Sequence, residues 1–62
     1  MDRQLNFNIP LNAQIACVER EIKMREHVYS RRVQNKKMSQ EKADYELQVM
    51  RAVLKTLQEI KR

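Results

Sequence analysis

The sequence contains no glycine and no tryptophan, and its 62 residues include a single cysteine and a single proline. The absence of glycine argues against phosphate-binding loops, nucleotide-binding turns and tight hairpins that need positive φ, and so against most nucleotide-dependent enzymes. Cys17 has no partner within the chain, so no internal disulfide can reinforce the fold. A chain of this length is therefore expected to be marginal as a single hydrophobic core.

The sequence also has no long hydrophobic run. Charged residues make up 34% of the chain and hydrophobic residues 42%, a balance typical of neither a disordered nor a membrane-spanning protein. No apolar segment follows Met1, so we expect no secretory signal and a cytoplasmic location. A membrane is not an expected partner.

Residues 1–12 predict an extended N-terminal arm. Apolar and polar side chains alternate with the period of a half-buried strand, and Pro10 ends the alternation. Two interpretations of the arm are open. It is either a loose segment that packs Phe7 against a helix, or an edge strand that pairs with a symmetry mate or a partner chain.

Residues 13–62 predict an antiparallel two-helix hairpin, which makes the fold class all-α. The first helix covers about residues 13–34, a basic turn covers 35–39, and the second helix covers about 40–61. Residues with high helix propensity dominate the second segment and nothing interrupts it.

Two polar residues are predicted to cap these helices. Asn12 precedes the first helix and Ser39 precedes the second, and both residue types accept hydrogen bonds from the free N–H groups of a helix N-terminus. The pattern near Ser30 allows two interpretations: the first helix continues past it, or ends there and is followed by a short turn over residues 31–35.

One stripe along each helix is apolar, with spacings of three and four residues, and predicts the hairpin core. Its members are Ile15, Val18, Ile22, Tyr29, Leu47, Met50, Leu54 and Leu57. Arg25 falls within the first stripe and Glu46 falls close to the second. We expect these two to pair across the hairpin and fix its register.

A second set of apolar residues lies away from these stripes, and a two-helix hairpin cannot bury it. The set consists of Cys17, Met24, Val28, Val49, Val53 and Ile60. One interpretation is a homodimer, in which two hairpins form a four-helix bundle. The other is a docking face for a different protein.

No set of residues predicts catalysis, a metal site, a cofactor or a small-molecule substrate. His27 lies one helical turn from Lys23 and from Arg31, and cationic neighbours disfavour metal binding. Cys17 lacks a nearby base that would activate it as a nucleophile. We therefore expect a protein that is not an enzyme.

A basic patch surrounds the turn and consists of Arg31, Arg32, Lys36 and Lys37, with no acidic residue between them. These residues either complement the dipole of the first helix or form an anion-binding corner. Such a corner would bind nucleic-acid phosphates or an acidic protein surface. The chain lacks the run of base-reading side chains that a recognition helix needs, so sequence-specific DNA recognition is not expected.

Several short runs resemble a group of small phage and prophage proteins of uncharacterised function. The runs are Gln14 to Ile22, Met24-Arg25, Val28-Tyr29, Lys37 to Gln40, Lys42 to Asp44, Met50, and Ala52 to Leu57. Members usually carry proline after the tyrosine and glycine in the basic turn, where this chain has Ser30 and Lys36. The resemblance implies a phage-encoded accessory protein in the cytoplasm of a bacterial host, and it implies no particular site residues.

The sequence thus favours a small non-enzymatic interaction protein. Its expected action is to bind and modulate a host protein, such as a defence, transcription or recombination factor. The alternative is an accessory nucleic-acid-binding protein that contacts phosphates through the basic turn. A structural role in the virion is a third interpretation.

Overall fold

The computed structural model describes residues 8–61 and shows a two-helix hairpin. Helix α1 spans Leu11–Gln34 and helix α2 spans Gln40–Lys61, and the two pack against each other. The predicted all-α hairpin is confirmed, and the described residues contain no strand. The prediction of an arm packed through Phe7, or paired as a strand, falls on residues 1–7 and lies outside the described residues.

Helix α1 begins at Leu11, so the arm ends earlier than residue 12 and Asn12 is not the N-cap. Pro10 occupies the cap position with extended backbone (φ −66°, ψ 154°), and no side chain caps the helix. Its carbonyl accepts hydrogen bonds from the N–H groups of Ala13 (3.1 Å) and Gln14 (3.2 Å). The asparagine prediction was wrong because a proline has its φ already fixed and needs only its carbonyl to start a helix.

Helix α1 continues without a break through Ser30 to Gln34, so the interpretation that it ends at Ser30 is excluded. The helix ends instead in a Schellman motif. The N–H of Lys36 donates to the carbonyl of Val33 (3.0 Å), and the N–H of Lys37 donates to that of Arg32 (2.8 Å). Lys36 has φ 61°, in the left-handed region that favours glycine. The absence of glycine therefore did not exclude a turn with positive φ.

We expect Lys36→Gly to stabilise the hairpin by about 1 kcal/mol, because a non-glycine residue pays a steric penalty in the left-handed region. Urea unfolding followed by circular dichroism at a fixed protein concentration measures the change. Lys36→Ala is the matched control, since it removes the same charge and keeps the Cβ atom. If the Lys36→Gly protein is no more stable than the Lys36→Ala protein, the backbone at residue 36 is not strained.

Helix α2 begins with the cap that the sequence predicts. The Oγ atom of Ser39 accepts a hydrogen bond from the N–H of Lys42 (3.1 Å), and its carbonyl accepts one from the N–H of Ala43 (3.1 Å). Glu41 lies in the first turn, where a negative charge complements the helix dipole. Together these contacts fix the direction in which α2 leaves the turn.

The hairpin is one layer thick, and it measures only 14 Å along its shortest axis. Among residues 8–61 three side chains are buried: Ile15 (8% exposed), Ile22 (7%) and Ala43 (3%). The other residues of the core stripe are half-buried; they are Val18, Tyr29, Leu47, Met50, Leu54 and Leu57. Two helices alone leave the outer parts of this stripe in water, which is the expected weakness of a chain of this length.

The expected register pair between Arg25 and Glu46 is wrong. Arg25 instead donates to a carboxylate oxygen of Glu21 (Nε to Oε2, 2.9 Å), and Lys42 pairs with Glu46 (Nζ to Oε2, 3.6 Å). Both are pairs four residues apart on one helix, which long side chains reach without crossing to the other helix. The hydrogen bond that Arg25 donates to Glu21 raises the pKa of the Arg25 guanidinium above its ordinary value.

Glu26 and Arg51 form the ion pair that does connect the helices. Both side chains are about half exposed, so the pair contributes at most about 1 kcal/mol. Because these two residues are in contact, residues 26 and 51 lie at one height along the hairpin.

Candidate interaction surfaces

The two broad sides of the hairpin differ in chemistry. Successive residues of a helix are rotated by about 100° around the helix axis. The number of residues between a position and a buried residue of the same helix therefore tells on which side of the hairpin that position lies. On the side where Glu26 meets Arg51, the neighbouring positions carry Lys23, Asp44 and Lys55. We call this surface the polar side.

The opposite surface, here called the apolar side, carries the six spare apolar residues. On each helix, the rotation around the helix axis that leads from the core stripe to these residues is opposite to the rotation that leads to the polar side. They are Cys17, Met24 and Val28 of α1 and Val49, Val53 and Ile60 of α2, and all six are exposed. The hairpin thus brings the three spare apolar residues of α1 and the three of α2 onto one surface, whereas the sequence shows them as faces of two separate helices.

A shallow, open groove of about 360 Å³ runs along α2 on the apolar side and is formed by residues of that helix alone. Its lining contains no charged residue and consists of Val49, Ala52, Val53, Thr56 and Leu57. Tyr45 lies one turn before Val49, near the edge of this surface, and is 65% exposed. Sequence reasoning missed Tyr45, although its spacing of four from Val49 was the available signal.

The charged residues of the apolar side neutralise one another. Arg25 pairs with Glu21 and Glu46 pairs with Lys42, and the carboxylates of both pairs are about one-third exposed. Arg25 and Glu46 lie between the core stripe and the exposed apolar residues, so this surface combines exposed apolar side chains with paired charges.

The turn end of the hairpin forms a third surface, here called the turn pole and made of Arg31, Arg32, Lys36 and Lys37. All four side chains are exposed. None of them makes an ion pair with another residue of the range 8–61. Arg31 and Arg32 lie in the last turn of α1, where their charge complements the helix dipole.

Three of these cations surround a shallow depression of about 350 Å³. It is lined by Val28, Arg31, Arg32, Asn35 and Lys37. Lys36, the residue with positive φ, precedes Lys37 in the chain and is not part of this lining. The structure thus concentrates the predicted basic patch around one concave surface instead of spreading it along a helix.

Cys17 and His27 are both exposed, and Cys17 is a free thiol. Within residues 8–61 no three histidine, cysteine or acidic side chains are close enough to hold a metal ion. Neither described helix combines the length and the apolar character needed to cross a membrane.

Comparison with protein-family models, with curated proteins and with solved structures finds no match for this chain. Function is therefore inferred from the surfaces of the hairpin itself. Two of them have an unusual composition for a solvent-exposed helix: the apolar side and the turn pole.

Proposed function

We propose that the protein is a small non-enzymatic interaction protein, encoded by a phage or prophage, that binds and modulates a bacterial host protein. The phage context and the host cytoplasm are supported by the resemblance of residues 14–57 to small phage proteins. The binding role is supported by one observation above all, the six exposed apolar residues on one side of a single-layer hairpin.

A second copy is the first partner we propose for the apolar side. Two hairpins that meet by their apolar sides about a two-fold axis form a four-helix bundle, in which each copy supplies the missing layer of the other. The two-fold axis brings the same surface of both copies into contact, so each copy covers the exposed valines of the other.

The host protein is proposed to use the same surface. An amphipathic helix of that protein would lie in the groove along α2 as the second copy does, with apolar anchors three and four residues apart. Self-association and capture of the host protein would then compete, and a substitution in the groove would weaken both.

Affinity capture from nuclease-treated bacterial lysate tests this proposal. A tagged Val49→Glu protein is expected to retain less than about one-tenth of the host protein that the unchanged chain captures, because a carboxylate buried in an apolar contact costs several kcal/mol. Gln48→Glu is the matched control, since residue 48 is the exposed neighbour on the polar side.

Equal capture by the Val49→Glu protein would contradict the use of the apolar side. A host protein that is captured only without nuclease treatment would show that nucleic acid bridges the two, and it too would contradict the proposal.

A further inference from the structure

The turn pole holds all of the net positive charge of the described chain. Residues 8–30 and 38–61 together contain seven basic and seven acidic residues and so carry no net charge. The segment between them contains Arg31, Arg32, Lys36 and Lys37 and no acidic residue. The hairpin is therefore a neutral rod with four positive charges at one end, a distribution that attracts an anion to that end alone.

The ligand of this pole must be recognised by side chains. The N–H groups of Asn35, Lys36 and Lys37 all donate to carbonyls at the end of α1, so they are not available to an anion. The guanidinium groups of Arg31 and Arg32 and the ammonium groups of the two lysines are exposed and have no ion-pair partner among residues 8–61. Their open, multiply charged arrangement suits a ligand with several separated negative charges.

The composition of the pole distinguishes between two classes of polyanion. Protein interfaces are poor in lysine and have an aromatic or apolar residue at their centre. Half of the charges here are lysines, and the depression has only Val28 as an apolar contact. Single-stranded nucleic acid binds by stacking bases on aromatic side chains, and no aromatic residue lines the depression.

We propose that the turn pole binds the phosphate backbone of double-stranded nucleic acid without reading its sequence. Arginine and lysine are the residues that make such backbone contacts, and the affinity arises from release of counterions. This binding site goes beyond the proposed capture of a host protein and does not depend on it, because the pole and the groove along α2 are different surfaces.

Fluorescence anisotropy with a labelled 20-base-pair DNA of arbitrary sequence tests the inference. For four phosphate contacts, the association constant is expected to fall about 150-fold between 50 and 200 mM NaCl. Replacement of Arg31, Arg32, Lys36 and Lys37 by alanine is expected to weaken binding at 50 mM NaCl by at least about 30-fold. A second DNA of the same length and different sequence is expected to bind equally well.

A control variant removes the same charge from elsewhere on the hairpin. It replaces Arg20, Lys23, Lys55 and Lys61, which are all exposed, by alanine. Its net charge equals that of the pole variant, and we expect it to bind the duplex within about threefold of the unchanged chain. Circular dichroism verifies that both variants remain helical, and a capture assay with the pole variant shows independently whether the host-protein contact is intact.

Several results would overturn the inference. If the control variant lost as much affinity for the duplex as the pole variant, the binding would be due to the net charge of the protein and not to a site at the turn pole. Equal affinity for a labelled 20-nucleotide single strand would contradict duplex preference, and tighter binding of a glutamate-rich peptide would assign the pole to an acidic protein. No binding at 50 mM NaCl and 100 µM protein would remove the site altogether.

Discussion

Val53→Glu is expected to convert the proposed dimer into monomers at tens of micromolar protein. Val53 lies in the middle of the apolar side, is 43% exposed in the single hairpin, and lines the groove with Val49 and Leu57. In a bundle of two hairpins this position is covered by the second copy. A carboxylate there would lose its water, and the two-fold axis would place a second carboxylate in the same interface.

The expected size of this effect follows from the symmetry. Burial of an unpaired charge costs several kcal/mol, and each dimer contains the substitution twice. A total of about 4 kcal/mol would raise the dissociation constant roughly a thousandfold. Light scattering is expected to give a mass of twice 7.5 kDa for the unchanged chain and 7.5 kDa for the variant.

The matched control is Lys55→Glu, which introduces glutamate two residues away on the polar side, where residue 55 is exposed. Both substitutions leave a good helix former in α2, so a difference in mass between them reports on the surface and not on the helix. A mass of 7.5 kDa for the unchanged chain at tens of micromolar would refute the dimer. A Val53→Glu protein that remains dimeric would place the interface elsewhere.

The sequence predicted those features that depend on residues close together in the chain. The spacing of Ile15, Ile22 and Leu54 shows which stripe of each helix is turned inwards, because a helix repeats every 3.6 residues. Ser39 caps α2 as its residue type predicts, since the bond to Lys42 spans only three residues. Such local rules needed no knowledge of how the helices pack.

Features that depend on geometry between the helices were not predictable in the same way. Because Glu26 and Arg51 are at one height, Arg25 lies level with residue 52 and Glu46 with residue 31, so Arg25 and Glu46 are about 9 Å apart along the hairpin. Each of them pairs with a residue four positions away on its own helix, and Glu26 with Arg51 makes the crossing contact. That the spare faces of α1 and α2 share one side follows only from the hand of the helices combined with the antiparallel packing.

The end of α1 shows a third kind of limit. A Schellman motif requires a residue with positive φ, and glycine is the usual signal for it. In this chain Lys36 adopts the positive φ, and the backbone N–H groups of Lys36 and Lys37 donate the two hydrogen bonds of the motif to carbonyls of α1. Where the favoured residue type is absent, the backbone hydrogen bonds still determine the turn, and the sequence carries no marker for it.

Ile22→Ala is expected to unfold a large fraction of the protein at 25 °C. Ile22 is one of three buried side chains in the part of the chain that the structure describes, and it lines a shallow cavity together with Leu54 of the facing helix. Truncation of a buried isoleucine to alanine costs about 2–5 kcal/mol, and a core of this size supplies about 3–5 kcal/mol in total. The loss of helical signal in circular dichroism, and the shift of the urea midpoint, measure the effect.

Lys23→Ala is the neighbouring control: residue 23 is exposed on α1, and alanine has the higher helix propensity, so its midpoint is expected to change little or to rise. If a second copy covers the apolar side, the unfolding of Ile22→Ala must depend on protein concentration, because association stabilises the folded state by mass action. Raising the concentration tenfold should then restore part of the helical signal. A decrease in the free energy of unfolding of less than about 1 kcal/mol would show that the stability of the hairpin does not depend on burial of Ile22. Unfolding that is independent of protein concentration would show that a second copy does not stabilise the hairpin.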